Sequence, residues 1–113
     1  MNGYAIQSIR NLYAEQHGNR FYNTTARVIE TKDFYVLQSF YTLVAAVRKS
    51  NKEPLNFGYW SQTTSKHQAE FFSQLLGIER IKACKAMAKF KSPKQNTLDA
   101  IRKSVRLQHG GDF

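Results

Sequence analysis

The pattern of apolar residues changes its period at Trp60, and this change limits the chain to folds that combine a sheet with helices. Before it, residues 34–40 and 42–48 are rich in aromatic and β-branched side chains, which is typical of β-strands. After it, apolar residues recur three and four positions apart, which is typical of amphipathic helices. The order of the two patterns predicts an α+β fold.

Residues 4–15 near the N-terminus also show helical spacing, and Asn2 could cap them, so we expect a short N-terminal helix. The apolar positions that carry this spacing are Ala5, Ile9, Leu12 and Tyr13. Residues 16–25 contain Gly18 and two asparagines and are predicted to form a loop.

The sheet is predicted to be small and antiparallel, with three or four strands. No Gly, Asn or Asp separates residues 34–40 from residues 42–48, so we expect one long bent or bulged strand there rather than a hairpin. Strands at residues 26–30 and 55–60 complete the predicted sheet, and a polar turn precedes the latter.

Three helices are predicted to follow the sheet. The first begins among the hydroxyl side chains of residues 61–65, where Ser65 and Gln68 fit a capping box, and it ends at Gly77. The second spans residues 79–90. Its inward-facing residues are expected to be Ile81, Cys84, Met87 and Ala88.

The third helix is predicted from a start signal at Ser92 and Pro93 and extends to about Leu107. The apolar residues that it is expected to bury are Leu98, Ile101 and Val105.

A chain of 113 residues has room for a single domain. We divide it into an α/β core at residues 1–77, a basic helical hairpin at residues 78–107 and a flexible tail at residues 108–113. No apolar run is long enough to span a bilayer, and the N-terminus lacks the pattern of a signal peptide, so we expect an intracellular protein without membrane contact. The one cysteine, Cys84, excludes a disulfide framework, and no metal or cofactor motif is recognisable.

The net charge of +9 is concentrated in one part of the chain. Residues 78–106 hold nine basic and two acidic residues, a balance of +7. They lie on two predicted helices joined by only one or two residues, which we expect to pack as a helical hairpin or a helix-turn-helix-like corner. Such a concentration attracts polyanions, and the alternative is an ordinary solvated helix face. The side chains expected to contact phosphate or a partner are Lys82, Lys85, Lys89, Lys91, Lys94, Arg102, Lys103 and Arg106.

Two other features carry competing interpretations. The aromatic residues of the strand region could stack on nucleic-acid bases, although a core role is favoured for a chain of this size. They are Phe34, Tyr35, Phe40, Tyr41, Phe57, Tyr59 and Trp60. His67, near the start of the first C-terminal helix, is the best candidate for a general base, but hydrolases usually need a carboxylate or a metal to orient or activate such a group.

A strand pattern, Ser39-Phe40-Tyr41-Thr42-Leu43-Val44-Ala45, is followed by the string Ser61-Gln62-Thr63-Thr64-Ser65-Lys66-His67. Over about residues 35–77 the chain resembles a family of small uncharacterised proteins of phages and mobile elements, which share a Ser-x-Thr-Thr-x-Lys-His motif. The motif positions here are Ser61, Thr63, Thr64, Lys66 and His67. The family has no established activity. The resemblance implies residence in the cytoplasm of a bacterial host cell and binding to host or phage machinery, which includes inhibition of defence nucleases.

From these features we predict a small, basic, non-enzymatic phage or mobile-element protein that binds nucleic acid or a nucleic-acid-handling complex. The first alternative is an inhibitor of a host defence nuclease, of the anti-CRISPR type, that acts by protein–protein contact. The second is a small enzyme that uses His67. Because every element is short, a homodimer that shares the sheet edge or the C-terminal helices is a further alternative.

Overall fold

A computed structural model describes residues 8–16 and 19–108 and shows an α+β fold. A five-stranded antiparallel sheet is followed by three helices. The elements in chain order are β1 (Ser8–Gln16), β2 (Asn19–Glu30), β3 (Phe34–Ser39), β4 (Thr42–Arg48), β5 (Pro54–Asn56), α1 (Gln62–Leu76), α2 (Arg80–Ala86), a 3₁₀ turn (Met87–Lys89) and α3 (Gln95–Gln108). The α+β class and the three helices after the sheet are confirmed. The predicted number of strands, three or four, is too low, because the described sheet has five.

The predicted N-terminal helix is wrong wherever the structure describes it, because residues 8–16 form strand β1. This strand pairs with β2 from Ser8 opposite Glu30 to Gln16 opposite Asn19, so the loop predicted for residues 16–25 is also strand where it is described. The register shifts between residues 11 and 13, as at a β-bulge. A bulge interrupts the two-residue alternation of a strand, which explains why the spacing of the apolar residues resembled that of a helix.

Strands β3 and β4 form a hairpin, and the prediction of one long strand is wrong. Phe40 and Tyr41 form a two-residue turn, in which Phe40 has a φ of 57°. The side-chain amide of Gln38 donates to the Phe40 carbonyl at 2.9 Å, and the Phe40 N–H donates to the Thr25 carbonyl at 2.6 Å. These bonds hold a phenylalanine in the left-handed region, where glycine or asparagine is usual, so the sequence carried no turn signal.

Alternate residues of the sheet face two separate apolar clusters, so the domain has three layers. In β3, Leu37 packs into the first cluster, whereas Val36 packs into the second. The first cluster is completed by α1 and α2, chiefly through Phe71, Phe72 and Ala83. The second is completed by α3, through Ile101 and Val105.

Helices α2 and α3 therefore lie on opposite faces of the sheet and do not form the predicted helical hairpin. The chain crosses from one face to the other along the β5 edge. There Lys91 forms a parallel bridge with Leu55, and the Asn56 N–H donates to the Lys91 carbonyl at 2.9 Å. The linker is longer than the expected one or two residues, which permits this crossing.

Helix α1 begins earlier than the predicted capping box. Ser61 is its N-cap and accepts a hydrogen bond from the Thr64 N–H at 3.1 Å, whereas Gln68 is buried in the interior. Gly77 ends the helix with a φ of 69°, as predicted.

The predicted inward face of the second C-terminal helix is wrong. Ile81, Cys84 and Ala88 are exposed, Met87 is half-buried, and the buried residue of α2 is Ala83. For α3 the prediction is closer. Ile101 and Val105 are buried, and Leu98 is half-buried.

Gln108, the first residue of the predicted tail, is the last residue of α3, and the rest of that tail, residues 109–113, lies outside the described residues. Within the part of the chain that the structure describes, no helix combines the length and apolar character that crossing a membrane would require.

Candidate nucleic-acid interface

The predicted basic residues are divided between the two faces of the domain. Their described side chains are exposed: Lys82, Lys85, Lys89, Lys91, Lys94, Arg102 and Lys103. The first three belong to α2 and its 3₁₀ turn, whereas Arg102, Lys103 and Arg106 belong to α3 on the opposite face. Lys91 and Lys94 lie in the crossing segment between the two helices. A single continuous basic surface on two adjacent helices is therefore not formed.

A groove on the α3 face brings exposed aromatic rings next to a guanidinium group. Its volume is about 360 Å³, and we call it the aromatic groove. The residues that define it here are Tyr41, Phe57, Trp60, Leu98 and Arg102. Tyr41 is 92% exposed and Trp60 is 45% exposed, so these rings are not core residues. Phe34, by contrast, is buried in the second cluster, as the core interpretation predicts.

The loop after β5 positions two of the aromatic rings, and α1 holds that loop in place. Gln68 is buried, and its side-chain amide donates to the carbonyl of Val44 at 2.9 Å and to the carbonyl of Gly58 at 3.1 Å. Gly58 has a φ of 132°, a conformation that glycine adopts without strain and that turns the chain away from β5. Phe57 and Trp60 therefore stand on a loop that is bonded to the core.

The charge near the aromatic groove is positive. Arg102 forms no ion pair with any residue that the structure describes. Ser92 and Pro93 line the groove, and the exposed side chains of Lys91 and Lys94 flank them in sequence. Lys103 lines a separate depression with Lys32 and Asp33.

Two residues of the five-residue Thr-Thr-Ser-Lys-His string, Thr64 and His67, are buried in the interior. Ser39 Oγ, at the end of β3, lies 2.8 Å from His67 Nδ1 and 3.1 Å from Thr64 Oγ1. Ser39, Thr64 and His67 are each at most 5% exposed. Burial lowers the pKa of His67, which favours the neutral ring. The network joins the end of β3 to the first turns of α1.

The other motif positions serve the helix start or face solvent. Ser61 caps α1, Thr63 and Lys66 are exposed, and Phe40 lies against the His67 ring with centroids 5.9 Å apart. Among the described residues, no three His, Cys, Asp or Glu side chains come close enough together to hold a metal ion.

Two features of the surface differ from the prediction: several aromatic residues are exposed, and α2 buries a different face from the one expected. A helix as short as α2 gives two equally good apolar spacings, one through Ile81 and Cys84 and one through Ala83 and Met87. Only packing against α1 selects the second. For Tyr41 a signal was present, since it lies between two strand-like runs rather than within one, whereas Trp60 directly precedes the N-cap of α1.

The family match covers the sheet and the first two helices. The model of a family of unknown function, DUF8033, matches residues 7–89. The chain belongs to this family. The match ends before α3, so the aromatic groove combines a family segment with a helix outside the matched residues. No curated protein and no solved structure matches the chain.

Proposed function

We propose that this protein is non-enzymatic and binds single-stranded nucleic acid in the aromatic groove. The observation that carries the proposal is the exposed pair Tyr41 and Trp60 beside the guanidinium of Arg102, which has no ion-pair partner among the described residues. Aromatic side chains stack on bases, and Arg contacts both base faces and phosphates. Stacking on a side chain needs a base whose own face is free, which favours a single strand over a duplex.

The net charge of +9 supports a polyanionic ligand. The basic residues assigned to this interface are reduced to Lys91, Lys94 and Arg102, because Lys82, Lys85 and Lys89 belong to the other face and Lys103 lines a separate depression. Contacts of these cations with phosphates would position the strand, and the rings would hold the bases without strong sequence preference.

A catalytic role for His67 is not part of the proposal. The ring is 5% exposed and is bonded to Ser39, a residue that is 2% exposed, so a substrate would have no direct path to either atom. The network instead supports a structural role in which α1 is fixed to the sheet.

The chain provides its own probe for this proposal, because Trp60 is its only tryptophan. Titration with a single-stranded oligothymidylate at low salt should quench the tryptophan fluorescence, and a duplex of the same length should quench it less. Raising the salt should weaken binding, by about 0.7 log unit per phosphate contact for each log unit of salt. A protein that shows neither quenching nor a change in oligonucleotide anisotropy at low salt would contradict the proposal.

A matched pair of tyrosine variants separates stacking from general attraction. Tyr41→Ala should lower the affinity for a labelled single strand about tenfold, since stacking of a base on an aromatic side chain is worth about 1–3 kcal/mol. Tyr59→Ala is the control, because Tyr59 is 76% exposed but lies outside the aromatic groove. Equal losses in both variants would show that the groove is not the binding site.

A further inference from the structure

A second groove, between α1 and α2, has a different chemical character. Its volume is about 360 Å³, and we call it the aliphatic groove. The residues that define it here are Lys66, Ala69, Arg80, Ile81, Cys84 and Lys85. Ile81 is 66% exposed in the middle of these cations, although apolar side chains of this size are usually buried.

The rim of the aliphatic groove carries positive charge that the described acidic residues neutralise only in part. Arg80 approaches one carboxylate, Glu70, at 3.6 Å. Lys66 and Lys85 form no ion pair with any described residue.

We infer that the aliphatic groove binds an acidic protein segment that inserts one large apolar side chain against Ile81. The cations of the rim complement carboxylates, and the exposed isoleucine complements an apolar anchor. This inference is independent of the proposed nucleic-acid function, since it concerns another face of the sheet.

Nucleic acid and a second copy of the chain fit this groove less well. None of the described residues that line it is aromatic, so it offers bases no stacking surface. A second copy would bring a net charge of +9 against a cationic rim, and the two would repel each other. An acidic protein segment with an apolar anchor would complement both the cations of the groove and Ile81.

Selection from a displayed library of random peptides on the intact protein tests the inference when the partner is not identified. We expect the enriched peptides to be acidic and to share a large apolar residue. They should also slow the reaction of Cys84 with a maleimide, because this exposed cysteine lies in the groove and is the only one in the chain.

Substitutions then locate the bound peptides. Ile81→Ser should weaken peptide binding about tenfold through loss of apolar contact, and it should leave the helix intact because Ile and Ser have similar helix propensities. Lys85→Glu should weaken binding about fivefold, since it places a like charge at the rim. Lys82→Glu is the matched control on the same helix but outside the groove, and it should change the affinity less than twofold.

Several outcomes would overturn the inference. These are the absence of any enrichment, enrichment of peptides without acidic residues, unchanged binding to the Ile81→Ser variant, or equal losses with Lys85→Glu and Lys82→Glu. Protection of Cys84 by a single-stranded oligonucleotide as strong as that by the peptides would also overturn it, because the groove would then bind polyanions without regard to type.

Discussion

The aromatic groove and the aliphatic groove have equal volumes and cationic rims, but their floors differ. Tyr41 and Trp60 offer flat rings on one face of the sheet, whereas Ile81 offers a branched aliphatic surface on the other. Both would attract a nearby polyanion, because salt screens the charge strongly only beyond about 8 Å. The chemistry of the lining side chains, rather than the sign of the surrounding charge, therefore distinguishes the proposed nucleic-acid site from the proposed protein site.

The largest expected effects concern the two apolar clusters that support the grooves. Phe72→Ala should lower the free energy of unfolding by about 3–5 kcal/mol, since its ring packs edge-on against Phe71 and Phe90 and is fully buried. Ile101→Ala should cost about 2–3 kcal/mol, because α3 borders the open aromatic groove and can relax toward the cavity. Urea unfolding followed by circular dichroism measures both.

If Ile101→Ala cost more than Phe72→Ala, the α3 layer would be the more tightly packed of the two. Phe72→Leu, which removes less volume, provides a second measurement if the alanine variant does not fold.

Charge reversal on each face should separate the two binding activities. Arg102→Glu should reduce the affinity for single-stranded oligonucleotide about tenfold, through loss of a phosphate contact and gain of repulsion, and should leave selected acidic peptides bound. Lys85→Glu should weaken the binding of the selected acidic peptides and leave the affinity for the oligonucleotide unchanged. Anisotropy titrations with both labelled ligands test this, and equal effects of each variant on both ligands would mean that only the total charge matters.

Lowering the pH should destabilise the α1 face through His67. The pKa of this ring is lowered from 6.5 by burial, so the unfolded chain takes up its proton first. The stabilising contribution is complete above about pH 6.5 and is lost as the pH falls toward the lower pKa of the folded state, by up to about 1.4 kcal/mol per pH unit.

Urea midpoints at pH 7.5 and 5.5 should therefore differ, and His67→Asn should reduce the difference even though the variant is less stable at both values. The aromatic groove includes no histidine among its described residues, so oligonucleotide affinity should be insensitive to the same change wherever the protein stays folded. A midpoint difference that persists unchanged in His67→Asn would assign the pH dependence to other groups.

The smallest expected effect is at Glu30, far from the turn that carries Tyr41. A hydrogen bond from Lys49, with Nζ 2.5 Å from Oε2, lowers the pKa of the Glu30 carboxyl below its ordinary value of 4.5. The pair therefore stabilises the fold above about pH 4.5, and its contribution is lost as the pH falls through the lower folded-state pKa.

Because both side chains are partly exposed, Glu30→Gln should cost at most about 1 kcal/mol near neutral pH. The substitution should leave the affinities for the oligonucleotide and for the acidic peptides unchanged. A change in either one would mean that this end of the sheet communicates with the grooves.

The sequence predicted the elements whose determinants are local. The end of α1 at Gly77 and the buried residues Ile101 and Val105 of α3 follow from a capping glycine and helical spacing, whereas the N-cap of α1 is Ser61 rather than the predicted Ser65. Strand β1 was mistaken for a helix, because its bulge and its pairing with β2 are properties of two distant segments.

Part of the candidate site could not be predicted for the same reason. The composition indicated a cationic surface, but which face each cation occupies depends on the crossing of the chain at the β5 edge. The Phe40 turn, which places Tyr41 beside the groove, depends on bonds from Gln38 and to Thr25 that no local pattern indicates.

Every strand of the described sheet pairs only with its neighbours in sequence, in the order β1-β2-β3-β4-β5. Such a meander closes short loops one after another, which favours rapid folding compared with β topologies that pair distant segments. Helix α3 follows all the other described elements in chain order, and the groove around Trp60 is complete only after this helix docks. A change in Trp60 fluorescence during refolding would thus report the docking of α3.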